Sequence, residues 1–159
     1  MGEVVILGAY PLGPESLDTE LYADRWTCWK MGSSSPRAIW KDHEVAMREI
    51  IRRQGYLSIY PSYGDGLPIE YELRVKTFRV FDIQQGPPGE TFPQFETETA
   101  NTWLRYKEAK KLRHLIPRPR FVERPVINGE FGPARPISEA GWNQMWRTGL
   151  VFAELTPEA

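Results

Sequence analysis

Cysteine, histidine and long apolar runs are what this sequence has least of, and each scarcity closes off a class of chemistry. Cys28 is the single cysteine, so no internal disulfide can form and no cysteine-based metal cluster can be built. His43 and His114 are the only histidines, and neither has a metal-ligand residue four positions on. No metal and no cofactor is expected. The patterns GxGxxG, GxxxxGK[ST], HExxH and GxSxG are absent, which removes the commonest signatures of dinucleotide, phosphate, zinc and serine-hydrolase sites. The opening MGEVVILGAYPLG lacks the basic start of a signal peptide, and its apolar run is too short to span a bilayer. The expectation is a soluble, cytoplasmic protein with no membrane partner. Lysine and arginine are missing from residues 1–24, which carry Glu3, Glu15, Asp18, Glu20 and Asp24.

What is present describes one ordinary folding unit. The chain has 159 residues, 41% apolar and 26% charged, enough for a single core and too apolar for a disordered chain. No linker or repeat divides it, so residues 1–159 are read as one domain. The net charge of −1 means that a nucleic-acid partner would need a local basic patch rather than bulk charge. Six tryptophans and 14 prolines favour short elements joined by stiff loops over a helical bundle.

Residues 4–7 form an apolar β-rich run ended by Gly8, and 25–30 (RWTCWK) a short aromatic strand. Met31 to Pro36 reads as a turn. Asp42 is placed to cap a helix over 43–53, with Val45, Ala46, Glu49 and Ile50 at helical spacing, Arg52 and Arg53 in its last turn and Gly55 as its stop. Residues 56–60 form a strand and 61–66 a hairpin turn. The plainest strand is 69–83, where Ile69, Tyr71, Leu73, Val75 and Thr77 alternate with Glu70, Glu72, Arg74 and Lys76, one face dry and one wet. Residues 84–100 read as a polar surface excursion, 103–112 as a short basic amphipathic helix, and 121–127 as a strand before the turn signal Asn128-Gly129. Ser138 caps a second helix bearing Trp142, Met145 and Trp146, and 151–155 closes the chain. Strands outnumber helices, which predicts a mixed α/β (α+β) fold: a small, strongly curved sheet or barrel with short helices packed outside.

Catalysis finds little support. The Gly8–Gly13 loop has two prolines nearby and no lysine, the Asp42-His43-Glu44 cluster suits a helix start, and Cys28 between tryptophans suits packing. Binding fares better. Trp26, Trp29, Trp40, Tyr60 and Tyr63 lie close in sequence to the loop Ser33, Ser34 and Ser35. On a strand Trp26 and Trp29 take opposite faces, so one can be core while the other lines a pocket. A flat base stacks on such a ring at about 1–3 kcal/mol, and serine hydroxyls can meet a base edge or a phosphate. The bland alternative is that every ring is core. The stretch 105–124 supplies the basic patch, with Arg105, Lys107, Lys110, Lys111, Arg113, Arg118, Arg120 and Arg124 against Glu108 and Glu123. It could grip a phosphate backbone or be a solvated helix face.

Three stretches resemble the EVE domain, a PUA-like fold related to the YTH readers of methylated adenine. GYLSIYPSYGDGLPIEYELRVKTFRV (55–80) is similar to its strand–loop–long-strand hairpin, FGPARPISEAGWNQM (131–145) to its closing segment, and RWTCWKMGSSSPRAIW (25–40) to the tryptophan-bearing strand and polar loop of the YTH relatives. The family's opening Trp, Lys and Glu-Pro are absent. The resemblance implies a small barrel whose pocket takes a modified, flipped base between Trp26 or Trp29 and Tyr63, with Trp40, Tyr60, Asp42 and Ser33 to Ser35 around it. Lys30, Arg37, Arg105, Lys110, Lys111, Arg113, Arg118 and Arg120 would then hold phosphates of DNA in preference to RNA. Such modules occur alone or as the recognition part of modification-dependent restriction systems, so a larger complex is an expected partner. VVILGAYP also resembles the first strand of uracil-DNA glycosylases, without a following HPS-like segment, which makes a glycosylase-like enzyme using Asp42 or His43 the first rival. A protein-interaction module anchored by Trp103, Trp142 and Trp146 is the second.

Overall fold

The computed structural model describes residues 3–9, 26–28, 43–62, 68–85, 89–91, 99–127, 130–142 and 150–157, with side chains left out at 9, 27–28, 80–85, 99–102 and 150. It is a mixed, mainly β structure built on one eight-stranded sheet. The strands are β1 (Val5–Ala9), β2 (Trp26–Cys28), β3 (Leu57–Ser62), β4 (Ile69–Gln85), β5 (Thr99–Ile116), β6 (Phe121–Glu123), β9 (Arg135–Pro136) and β10 (Leu150–Leu155). Their order across the sheet is β2-β5-β4-β3-β1-β10-β6-β9. β7 (Val126–Ile127) and β8 (Glu130–Phe131) form a separate hairpin flanking residues 128–129. Every pairing between named strands is antiparallel except β1 with β3, which run parallel with α1 (Glu44–Gln54) in the connection between them. Among the described residues the sheet is open: β2 and β9 are its outer strands, and no pairing joins them into a barrel.

The strand expected over 69–83 is present and carries on to Gln85. Ile69, Tyr71, Leu73 and Val75 are buried as expected, but Glu72 is buried with them. Past the register shift between Val75 and Thr77, it is Phe78 rather than Thr77 that enters the core. Tyr71, Leu73 and Val75 are fully buried beneath Met47 and Ile50 of α1, in one cluster with Ile6, Leu57, Ile59, Leu104 and Phe152. The other face carries a second cluster of Leu7, Tyr60, Ile69, Ile116, Phe121 and Ala153, against which Ile137 and Trp142 pack. Ile6 and Leu7 are neighbours in sequence yet fall in different clusters, so β1 is covered on both faces. β3 is likewise buried along its whole length. This is why it runs through Pro61 and Ser62, which pair in register with Gly8 and Ala9, where a turn was expected.

Other expectations shift. α1 starts one residue later than expected, with His43 at the capping position and no side-chain cap; Asp42 lies outside the described residues. It buries Met47 and Ile50, whereas Val45 is 85% exposed, because the sheet beneath sets the rotation of the helix. Gly55 ends the helix in the left-handed conformation at φ 89°, its N–H donating to the Ile51 carbonyl. The strand expected over 121–127 is two strands, broken at Arg124-Pro125. Residues 139–142 are helical, and Ser138 caps them as expected, its hydroxyl accepting from the Gly141 N–H at 3.0 Å. Within the expected surface excursion, Thr91 is buried and bridges to Trp26. The largest correction is at 103–112. This is no helix but the middle of β5, paired with β4 from Gln85↔Thr99 to Ile69↔Ile116.

Candidate functional site

The basic stretch is laid out along β5 and the turn that follows it. Lys107, Lys110, Lys111 and Arg113 are exposed, and Arg105 is half-buried. Four register shifts interrupt its pairing with β4, and two of them shape the basic stretch. Arg74 and Val75 face Glu108 and Tyr106, which leaves Lys107 as an extra residue on β5. Further on, Ile69 pairs with Ile116 but Tyr71 with Lys111, so β5 advances five residues while β4 advances two. In this bulge Arg113, His114 and Leu115 are exposed in succession, which a regular strand with one buried face does not allow. Leu115 is 53% exposed.

The cations differ in how they are held. Lys110 lies 3.9 Å from Glu108 and Lys111 3.6 Å from the half-buried Glu70, loose pairs of exposed lysines that are worth little and yield readily to another anion. Arg105 lies 3.9 Å from Glu90. Arg118 and Arg120 sit in a single 3-10 turn, Arg118–Arg120. The Arg118 guanidinium lies over the Trp142 ring at 4.6 Å from its centre. Arg120 donates to the Thr156 carbonyl at 2.7 Å, and Thr156 donates back to the Arg120 carbonyl, tying the last residues to the turn. Arg124 is buried, donating to the Gly132 carbonyl at 2.8 Å and pairing with Glu154 at 3.3 Å. Its part is structural.

A polar cluster missed by the sequence reading occupies β3 and β4 beside this strand. Glu72 was expected on the wet face with Glu70, Arg74 and Lys76, but it is buried. Its carboxylate accepts from the Ser58 hydroxyl at 2.6 Å, the Tyr60 hydroxyl at 3.3 Å and Arg74 Nε at 3.2 Å. Arg74 also meets Glu108 at 3.2 Å and lies over the Tyr56 ring at 4.3 Å from its centre, with Lys107 Nζ at 5.6 Å from that ring. Burial and the nearby Glu72 charge push the Tyr60 hydroxyl well above its usual range, so it stays protonated and donates. No spacing in the sequence marks this cluster; it follows from the cover on both faces of β3. A carboxylate opposite a fully covered strand loses water and must find donors.

The expected base pocket is only partly within view. Trp26 is packed: 4% exposed, its backbone N–H donating to the Glu90 carbonyl at 2.7 Å, with Arg79 and Arg105 over its ring at 5.1 and 5.9 Å. Trp26 is therefore a core residue. Tyr60 is also buried, between Glu72 and an edge contact to Phe121 at 5.2 Å. Trp29, Ser33, Ser34, Ser35, Trp40, Asp42, Tyr63, Lys30 and Arg37 lie outside the described residues, as do the turns expected at 31–36 and 63–66 and the Asn128-Gly129 turn. Trp103, considered as an exposed anchor, is fully buried, and Trp142 is half-buried against the second cluster. Trp146 lies outside the described residues.

Among the described residues no three His, Cys, Asp or Glu side chains gather as a metal group, and no helix is long and apolar enough to cross a membrane. The chain matches no protein-family profile, no curated protein and no solved structure.

Proposed function

We propose that this domain is a nucleic-acid-binding module, with DNA as the favoured partner and no chemistry of its own. The observation that carries this reading is the row of exposed cations on one strand, Lys107, Lys110, Lys111 and Arg113, whose ion pairs among the described residues are loose. Phosphate contacts of this kind position a polymer and release counterions, so they give affinity without sequence preference. Selectivity for a modified, flipped base belongs to the same proposal through the EVE-like resemblance, as do closure of the sheet into a small barrel, a cytoplasmic setting and a place in a larger restriction assembly. With Trp26 packed under Arg79 and Arg105, the aromatic wall of such a pocket falls to Trp29, Tyr63 and Trp40.

The test is fluorescence-anisotropy binding to short duplexes, plain or carrying N6-methyladenine or 5-methylcytosine, at two salt concentrations, with matched RNA alongside. Four phosphate contacts predict log K falling with log salt at a slope of about −3 to −4. Reversing charge at Lys110 and Arg113 should lower affinity for every duplex alike. Absence of salt-dependent binding to any of these polymers would overturn the proposal. Protein interaction would then become the better reading, with the exposed Val126 and Ile127 of the β7–β8 hairpin as its surface.

A further inference from the structure

We infer that Glu108 accepts a hydrogen bond from the exocyclic amino group of an unpaired base, cytosine above all, while the cations beside it hold the phosphates. This rests on the nucleic-acid reading above and gives it a class of base.

Glu108 is the only carboxylate from Thr99 to Val122, and it stands within the cation row, next to Lys107 and two residues before Lys110. Its side chain is 45% exposed, yet it is held. Arg74, directly opposite on β4, meets its Oε1 at 3.2 Å, and Lys110 Nζ lies 3.9 Å from the same oxygen. Both pairs use Oε1, which leaves Oε2 to accept from a ligand. Arg74 is itself anchored from within. Its Nε donates to Glu72 at 3.2 Å, its guanidinium lies over the Tyr56 ring, and Glu72 is fixed by the Ser58 and Tyr60 hydroxyls. The buried cluster therefore ends at the surface in one oriented carboxylate. An exposed ion pair alone adds little stability, but a side chain held in place loses little freedom when a ligand arrives.

A carboxylate among cations repels the phosphates that its neighbours attract, so a contact made of phosphates alone meets an obstacle at Glu108. The amino groups of bases are the donors that turn this obstacle into a contact, and cytosine N4 is a group that glutamate accepts from. Uracil carries a carbonyl oxygen at the same position, which the carboxylate repels. In a duplex every pair shows an amino group in the major groove, so an unpaired base is where such a contact discriminates. An acidic peptide would bring further carboxylates against Glu108, and a basic one would meet Lys107 and Lys110. The arrangement of one held acceptor between phosphate-binding lysines favours a nucleic-acid strand over either.

The experiment compares fluorescein-labelled oligodeoxycytidylate and oligodeoxyuridylate of about twelve nucleotides, equal in length and charge, by anisotropy at fixed pH and salt. The wild-type protein should bind the cytidylate more tightly, by about fivefold, as for one charge-assisted hydrogen bond discounted for solvent. Glu108→Gln keeps the shape and removes the charge. It should bring the ratio of the two affinities close to one and tighten binding of the uridylate, whose phosphates no longer face a carboxylate. Lys111→Gln should weaken both strands together and keep the ratio. Arg74→Lys keeps its charge but loses the fork that joins Glu72 to Glu108, and should lower the ratio, with melting curves taken on every variant. Equal binding of the two strands by the wild type, or preference for the uridylate, would overturn the inference and leave the nucleic-acid reading standing. A Glu108→Gln protein that keeps the full preference, or that weakens on both strands equally, would overturn it as well. Binding of neither strand would overturn it if the duplexes still bind, and would remove both readings if they do not.

Discussion

Glu72 shows how a single residue can belong to a surface pattern and still be structural. It follows the charged series Glu70, Glu72, Arg74, but its carboxylate is buried and takes hydrogen bonds from Ser58, Tyr60 and Arg74. Removing it strands two buried hydroxyls and half-frees a cation. Glu72→Ala should therefore cost about 2–3 kcal/mol in urea unfolding, whereas Glu70→Ala, half-buried and loosely paired with Lys111 at 3.6 Å, should cost less than about 1 kcal/mol. Tyr60 adds a pH dependence. Its hydroxyl holds a proton more tightly in the folded chain than at its ordinary value of 10.0, because burial and Glu72 disfavour the phenolate. Above about pH 10 the unfolded chain loses this proton first, the native state binds more protons, and stability falls as pH rises. Tyr60→Phe should flatten that alkaline decline, and melting temperatures measured from pH 8 to 11 would show it. Trp103, fully buried beside β2, should cost about 3–5 kcal/mol when cut to alanine.

Among the elements, β5 and α1 carry the clearest physical lessons. In the sequence of β5, Trp103, Tyr106, Ala109 and Leu112 recur every third residue, which imitates a helix. The pairing with β4 explains the imitation. An extra residue at Lys107 resets the phase of an alternating strand, so Leu104 and Tyr106 share the core side with Ala109 rather than with residue 108. α1 was legible because its stop signal is local. Gly55 holds φ 89°, and a Cβ there would stand 3.3 Å from Lys107 Nζ. Gly55→Ala should lower stability by about 1–2 kcal/mol in thermal melts, chiefly from the left-handed backbone, since the lysine tip can move aside.

At the scale of the whole molecule, the sheet is held together by its most distant segments. β1 lies between β3 and β10, and β10 between β1 and β6, so the last strand is central rather than peripheral. Ala153 and Phe152 are buried on opposite faces of that strand, one in each cluster. Deleting Leu150–Leu155 should thus abolish cooperative unfolding, seen as loss of near-ultraviolet circular dichroism and of amide protection in β1. The small β7–β8 hairpin pairs with no strand of the main sheet among the described residues, yet its Phe131 packs on the first cluster, 5.2 Å from the Phe152 ring. Phe131→Ala should therefore lower amide protection in β10 and at the start of α1 without abolishing it in β4 and β5.

The sequence alone determined what depends on neighbours along the chain: the buried series Ile69, Tyr71, Leu73 and Val75 of β4, the stop at Gly55, the cap at Ser138, the predominance of strands and the contrast between acidic start and basic stretch. Each follows from one or two turns or pleats of backbone, where spacing is chemistry enough. Tertiary structure decided whatever depends on the partner strand. Pairing with β4 made 103–112 a strand, cover on both faces carried β3 through Pro61, and burial took Glu72 out of solvent. It also placed Trp26 in the core and Arg118 on Trp142, joining residues 24 positions apart that no local spacing connects. The physical reason is common to all of them. Side-chain identity states what a residue can do, but the free energy of burial and pairing is assigned only when a distant segment arrives to supply the other half of the contact.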